Sequence, residues 1–189
     1  MTSALGDGLR LLRAFATNPR QVGAVLPTSR TAVRAMLDLA DVPSARLVVE
    51  LGAGTGVATR ELLARLGPDA RLVAVEIDPQ LARLLTERLR DPRLQVVVGS
   101  AEDLGDHLDG ERADVVVSML PFTSLEAGLR GRLLDQLPRA LTPAGTALVI
   151  QYSPLVLGEL RRRFAGVRIR VTPWNVPPAF LYACTGPGG

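Results

Sequence analysis

Val48-Val49-Glu50-Leu51-Gly52-Ala53-Gly54-Thr55-Gly56 is an apolar run that breaks into three alternating glycines, and Leu72-Val73-Ala74-Val75-Glu76-Ile77-Asp78 answers it one helix later. The first stretch reads as a buried strand entering a tight turn. The second reads as a neighbouring strand with a carboxylate, Glu76, at its tip, twenty residues after Gly56. A strand, a glycine turn, a helix and a second strand ending in an acid together build a nucleoside site. The glycines let a ligand approach the backbone, and the carboxylate can accept hydrogen bonds from both ribose hydroxyls. The glycine spacing narrows the ligand. A dinucleotide fingerprint would put glycines at 52, 54 and 57, but position 57 is Val and the third glycine is Gly56. A pyrophosphate on the following helix is therefore not expected.

Outward from this core, apolar runs predict strands at about 47–51, 71–76, 94–98, 113–118, 146–152, 167–172 and 179–184. Helical patterns separate the first six, at about 57–66, 79–90, 101–108, 125–137 and 154–165, with Pro68, Pro79, Pro92, Pro138 and Pro154 at or near their ends. Nearly continuous apolar strands alternating with helices mean a parallel sheet covered on both faces. The last two strands are the exception. Only Pro173-Trp174-Asn175-Val176-Pro177-Pro178 lies between them, too little for a crossover helix, so they form an antiparallel hairpin. The fold expected is α/β, with a seven-stranded Rossmann-like sheet of five parallel strands and a C-terminal hairpin.

The chain has 189 residues and 47% hydrophobic content, enough for one domain with a core that needs neither disulfide nor metal. Cys184 and His107 are each the only residue of their kind, which excludes an internal disulfide and a multi-histidine metal site. His107 sits in a polar run and reads as a solvated loop residue, and Cys184 as a buried small hydrophobe. All 22 basic residues are arginine, and the net charge of +3 is too small to argue for nucleic acid. No apolar stretch is long enough to span a bilayer. Residues 1–45 are an extension that the sheet does not need, and 46–189 form the domain. In the extension, Leu5, Leu9, Leu12 and Phe15 recur at helical spacing with Arg10 and Arg13 on other faces. That helix reads equally as a membrane-surface or lid element and as plain packing. A second helix, capped at Thr28 or Ser29 and carrying Val33, Met36, Leu37 and Ala40 on one stripe, reads as packing on the domain.

The pattern Glu50-x-Gly52-x-Gly54-x-Gly56 resembles the first motif of the S-adenosylmethionine-dependent methyltransferases. That resemblance implies S-adenosyl-L-methionine as cofactor, its methionine end held by Glu50, Gly52, Gly54 and Gly56 and its ribose by Glu76. In Gly99-Ser100-Ala101-Glu102, after the third strand, either Ser100 or Glu102 would accept from the adenine amino group while a backbone amide near Ala101 donates; helix capping is the alternative role for both. Ser118-Met119-Leu120-Pro121-Phe122 ends the fourth strand. Pro121 forces an extended approach there, so the backbone carbonyls of Ser118 and Leu120 are expected to stand free beside the transferable methyl. The first residue of this motif is Ser rather than the Asn or Asp of nucleobase amino-methyltransferases. Tyr152, at the end of strand five, is a candidate for orienting an acceptor amine.

Three further segments resemble the bacterial phospholipid N-methyltransferases. Asn18-Pro19-Arg20-Gln21-Val22-Gly23-Ala24-Val25-Leu26-Pro27-Thr28-Ser29-Arg30 is similar to their N-P-R-x-V-G-A-V-x-P-S-S, Ser118–Phe122 to their S-G-L-P-L/F, and Trp174–Ala179 to their W-x-N-x-P-P-A. Met119 stands where the family has Gly, and Ser100 where it has the Asp of G-D-A. The resemblance implies methylation of the ethanolamine headgroup of phosphatidylethanolamine by a monomeric cytoplasmic enzyme, docked on the anionic inner face of the membrane through its N-terminal helix. Arg20 and Arg30 would meet the lipid phosphate, Pro121 and Phe122 would line the acceptor site, and nucleic acid is not expected as a partner. A soluble small-molecule methyltransferase, an rRNA adenine methyltransferase and a non-enzymatic binding member are the competing readings.

Overall fold

The computed structural model describes residues 28–175 and 177–187. Seven strands, β1 (Leu47–Leu51), β2 (Arg71–Glu76), β3 (Leu94–Val98), β4 (Ala113–Ser118), β5 (Leu141–Gln151), β6 (Phe164–Thr172) and β7 (Ala179–Pro187), form one sheet in the order β3-β2-β1-β4-β5-β7-β6. The first five run parallel, and β7 lies antiparallel between β5 and β6. The expected five parallel strands and hairpin are thus the architecture observed. Strand order reverses between β1 and β4, which is where such a sheet opens a crevice at the carboxyl ends of its strands.

Side-chain alternation along each strand sorts the core into two faces. Leu47, Val49 and Leu51 of β1 meet α4 (Leu104–His107), α5 (Ala127–Ala140) and α6 (Leu157–Arg161) through Leu104, Leu133, Leu137 and Leu160. Val48 points the other way, into α1 (Arg30–Leu37) and α2 (Val57–Leu63), among Val33, Met36, Leu37 and Leu62. On that same face α3 (Pro79–Arg88) packs Leu85 against Ala53 and Ala74. Val33, Met36 and Leu37 are wholly buried, and each contributes about 1.5–3 kcal/mol relative to exposure. The helix expected after Ser29 therefore lies in the domain core. Ser29 caps it, its Oγ accepting from the Ala32 amide at 3.1 Å, and Glu61 of α2 holds it, accepting from Arg30 Nε at 3.2 Å and Arg34 Nε at 2.7 Å. The apolar helix expected at Leu5–Phe15 lies outside the described residues, and so does Arg20.

Among the boundaries that differ from expectation, three have a clear cause. β5 begins at Leu141, five residues before the expected 146, because Pro143 and Gly145 read as a turn. In the structure Leu141 already pairs with Ala113 of β4, residues 142–145 bulge out of the ladder, and pairing resumes at Val115 with Thr146. α5 runs through Pro138 to Ala140; so close to the helix end, the missing proline amide removes only one late hydrogen bond. The helix expected at 154–165 is a 3-10 turn (Pro154–Val156) and the short α6, because Phe164 leaves it to enter the core as the first residue of β6.

The glycine turn explains its own residues. Gly56 starts α2 at φ 79°, and a Cβ there would sit 2.5 Å from Leu85 Cδ1 of α3. It therefore serves the backbone conformation and the close helix packing at once. Gly56→Ala is expected to lower stability by about 1–3 kcal/mol, from left-handed strain plus overpacking at Leu85. Urea unfolding of the two proteins checks it, and equal midpoints would refute the packing role.

Candidate functional site

The site is assembled at the carboxyl ends of β1, β2 and β4. The Gly52 amide donates to the Val75 carbonyl at 2.9 Å, and the Gly56 amide to the Ala53 carbonyl at 2.9 Å, which folds the glycine turn back over the tip of β2. Glu76 closes this arrangement. Its Oε2 accepts from the Gly54 amide at 2.7 Å and its Oε1 from the Asp78 amide at 3.0 Å. Each carboxylate oxygen has a second lone pair, so a carboxylate fixed by two backbone amides can still accept from two hydroxyls. Asp78 turns the chain into α3, its Oδ1 accepting from the Gln80 and Leu81 amides.

Glu50 is the most unusual group here. It alternates with Val48 onto the α1–α2 face of β1 and is wholly buried, and neither carboxyl oxygen has a hydrogen-bond partner. Burial raises its pKa from 4.5 to about 8. Proximity of the Thr59 hydroxyl and backbone offsets part of that rise, without the geometry of a formed bond, and the charge of Glu76 adds to it. An orphaned acid one residue from the glycine turn fits a ligand that brings its own positive charge, such as the ammonium of an amino-acid moiety.

The third strand leads into the candidate adenine edge. Ser100 Oγ accepts from the Glu102 amide at 3.1 Å, capping the turn at Ala101–Asp103, and Ala101 is buried. Glu102, expected as one of two adenine acceptors, is paired with Arg132 of α5 at 2.6 Å. His107 is not a solvated loop residue. Its Nε2 lies 3.0 Å from the Ser100 carbonyl, and a Cβ on Gly99 would come within 2.5 Å of that ring. Gly99 and His107 together therefore fix the Ser100 backbone.

The Ser118–Pro121 loop faces the glycine turn directly, since a Cβ on Gly52 would meet Leu120 Cδ2 at 3.0 Å. Ser118 is buried, and its Oγ accepts weakly from the Leu120 amide at 3.4 Å. Two expectations are corrected here. The Leu120 carbonyl is not free, for it accepts from Gln151 Nε2 at 2.8 Å and from the Phe122 amide at 2.9 Å. Phe122 is wholly buried in the α5 face of the core, because the chain turns inward after Pro121, so it cannot line an acceptor site. Gln151 was missed by sequence reasoning. It looks like an ordinary polar residue at a strand end, and only the parallel pairing of β4 with β5 shows that it braces the neighbouring loop. Its Oε1 also accepts from the Thr123 amide at 3.4 Å.

The rim beyond this loop joins the two ends of the chain. The Ser29 amide donates to Asn175 Oδ1 at 2.8 Å, and Ser29 Oγ donates to the Trp174 carbonyl at 2.8 Å. Thr28 Oγ1 and the Tyr152 hydroxyl lie 2.7 Å apart. Burial raises the Tyr152 pKa, the Thr28 hydroxyl and the nearby Asn175 side chain offset part of that rise, and its hydroxyl serves this seam. Arg30, next along, is held by Glu61 at the surface.

Comparison with known proteins gives the family and the cofactor. The family model described as "Methyltransferase domain" matches residues 48–145, just over half the chain. The chain is 37% identical to the ornithine lipid N-methyltransferase of Singulisphaera acidiphila, over 95% of this chain and 96% of that protein. The chain belongs to the bacterial lipid N-methyltransferase family of class I S-adenosylmethionine-dependent methyltransferases. Its cofactor is S-adenosyl-L-methionine. The fold of this methyltransferase matches the Bradyrhizobium japonicum N-methyltransferase NodS, a structure holding S-adenosyl-L-homocysteine, with TM-score 0.75 at 15% identity over 95% of this chain and 98% of that one. A small-subunit ribosomal RNA methyltransferase A from Parasynechococcus marenigrum is 32% identical over 71% of this chain, but over only 44% of its own length.

Two outcomes follow. Because the folded pKa of Glu50 lies above its unfolded value, its stabilising contribution is full below about pH 4.5 and is lost as pH rises through about 8. Ligand-free parent should therefore melt progressively lower from about pH 6 to about pH 8.5. Glu50→Gln should flatten that fall, and parallel melting curves would refute it. Gln151→Leu should lower kcat about tenfold, equivalent to about 1.4 kcal/mol, by loosening the Leu120 loop, while cofactor affinity measured by calorimetry holds. A change confined to cofactor affinity or to stability would refute this positioning role.

Proposed function

We propose that this methyltransferase moves the methyl group of S-adenosylmethionine to the terminal primary amine of a membrane-lipid headgroup. It would work as a monomer from the cytoplasmic side of an anionic membrane. The observation that carries the reading is the end-to-end similarity to a lipid N-methyltransferase, which includes the segments around Ser29 and Asn175 as well as the cofactor core. Phosphatidylethanolamine is the headgroup implied by the motif resemblance, and an ornithine headgroup is the one in the relative's name. Both end in an alkyl amine. No helix among the described residues is long and apolar enough to cross a membrane, so the enzyme would reach its substrate from the surface.

In this reading Glu76 accepts from the ribose hydroxyls, Gly52, Gly54 and Gly56 admit the methionine moiety, and Glu50 balances its ammonium. Ser100 and the Ala101 backbone remain the adenine contacts, since Glu102 is engaged by Arg132. Bound there, the cofactor supplies an electrophilic methyl on a cationic sulfur. An alkyl amine has a solution pKa near that of lysine, about 10.4, so it must shed a proton before attack. A buried loop beside that cation favours the neutral amine on both counts. With the Leu120 carbonyl occupied, Ser118 and Met119 are the positions left to hold the amine, and Pro121 fixes the direction of the loop. Arg30 would then meet the lipid's anionic group only by sharing its guanidinium with Glu61.

Purified enzyme with labelled cofactor should methylate phosphatidylethanolamine or ornithine lipid dispersed in detergent, read by lipid extraction and mass analysis. Glu76→Ala should weaken cofactor binding by about 2–4 kcal/mol through loss of charge-assisted hydrogen bonds. Label transferred to a soluble amine or to RNA and to neither lipid would overturn the proposal.

A further inference from the structure

The outer edge of the sheet is built unlike the rest of the surface. Six large apolar side chains are exposed among the described residues, and four of them gather here: Leu155 at 78%, Trp174 at 72%, Val171 at 53% and Ile169 at 43%. Topology brings them together. β6 is the edge strand, and Ile169 and Val171 lie on one face of it, two residues apart. That is the face whose earlier member, Val167, packs on the α5–α6 core. Val171 pairs with Phe180 of β7, which in turn pairs with Gln151 of β5, so this row leads straight to the residue bracing the Leu120 loop. Trp174 follows in the β6–β7 turn, and Leu155 follows Gln151 in the turn leaving β5. All four lie at or towards the end of the sheet where the cofactor crevice opens.

An exposed edge strand with an apolar face is a liability that soluble proteins normally blunt with charge, proline or a covering element. Here the charge is present but has one sign. After Glu159 the sequence contains Arg161, Arg162, Arg163, Arg168 and Arg170 and no acidic residue. Arg168 and Arg170 are exposed on β6. Arg168 and Arg170 alternate with Ile169 and Val171 onto the other face of β6, and Arg161 and Arg162 are exposed at the end of α6, so the edge carries arginine on both sides of its apolar row. Exposed Trp beside aliphatic side chains, on an edge strand whose only charged residues are arginine, matches the chemistry of a bilayer interface, where indole sits at the headgroup level and guanidinium meets anionic lipid.

We infer that the β6–β7 edge, through Leu155, Ile169, Val171 and Trp174, docks this enzyme on an anionic bilayer with the acceptor rim facing the lipid. The inference rests on the lipid reading of the substrate given above. It assigns docking to the folded domain itself, separate from any contribution of residues 1–27. The Trp174 carbonyl is tied to Ser29, so the same turn that enters the headgroup layer also holds the rim of the site.

Trp174 is the only tryptophan in the chain, so its fluorescence reports on this surface without labelling. Full-length enzyme mixed with vesicles of phosphatidylethanolamine and phosphatidylglycerol should show a blue shift of emission and quenching by brominated acyl chains. Pure phosphatidylcholine vesicles or high salt should give much less of either, because the attraction is partly electrostatic. Leu155→Glu combined with Val171→Glu should weaken vesicle partition about tenfold while leaving cofactor affinity unchanged. Vesicle pelleting with no change in Trp174 emission would overturn the inference, since another segment would then be the anchor. Emission already blue in buffer and unmoved by vesicles would overturn it as well, showing the surface covered within the chain. A shift that follows protein concentration without lipid would give the edge to a second copy instead. Turnover of detergent-dispersed lipid separates the two proposals. If lipid is methylated in micelles but Trp174 never senses vesicles, the docking surface is wrong and the substrate reading stands. If Trp174 inserts but neither lipid is methylated in micelles, the reverse holds.

Discussion

The cofactor half of this protein depends on one carboxylate held by two backbone amides. Glu76 fastens the glycine turn after β1 to the start of α3, through Gly54 on one oxygen and Asp78 on the other. The turn needs that restraint because Gly52, Gly54 and Gly56 all sit at positive φ, where the backbone has little preference of its own. Hydrogen bonds from amides to an ionised acceptor are among the stronger polar contacts available to a fold. Glu76 is almost wholly buried, and these two amides satisfy one lone pair on each of its oxygens. Glu50, one strand over, meets the opposite condition. It has no donors at all and relieves its burial by taking up a proton.

The acceptor half is organised by bracing from neighbouring strands. Gln151 ends β5 and holds the loop that ends β4, and Gly52 leaves room for Leu120 to lie against the glycine turn. The spacing between the glycine turn and the Ser118–Pro121 loop is therefore set by contacts among three adjacent parallel strands. This explains how a loop with an interrupted backbone pattern can hold its shape: besides its internal bonds, its Met119 amide donates to Leu51 of β1, and its Leu120 carbonyl and Thr123 amide are met by Gln151 of β5.

Most of the sheet could be read from the sequence because its strands are short, apolar and bounded by Gly or Pro, so β1 to β4 fall where the pattern puts them. The reading failed where a residue's local meaning was overridden by its neighbours in space. Pro143 and Gly145 look like a turn, yet they form a bulge inside β5, between Leu141 paired with Ala113 and Thr146 paired with Val115. Phe122 follows a motif proline and looks available to a ligand, yet the inward turn buries it. Free carbonyls around Leu120 followed from proline chemistry alone, and only the strand order 1-4-5 reveals the glutamine that occupies one of them. The segments around Ser29 and Asn175 were legible as a family likeness, but their reason was not. It lies in hydrogen bonds between residues 146 positions apart.

That separation has a consequence in time. The residues of the glycine turn and Glu76 leave the ribosome early, and the sheet segment that carries them consists of β1, β2 and β3, all made before residue 99. Asn175 is made about a hundred residues after Glu76, and Ser29 has no partner at the rim until it arrives. A growing chain can therefore possess the glycine turn and Glu76 long before Ser29 meets Asn175. The seam itself closes only when the β6–β7 hairpin folds back to meet the start of α1.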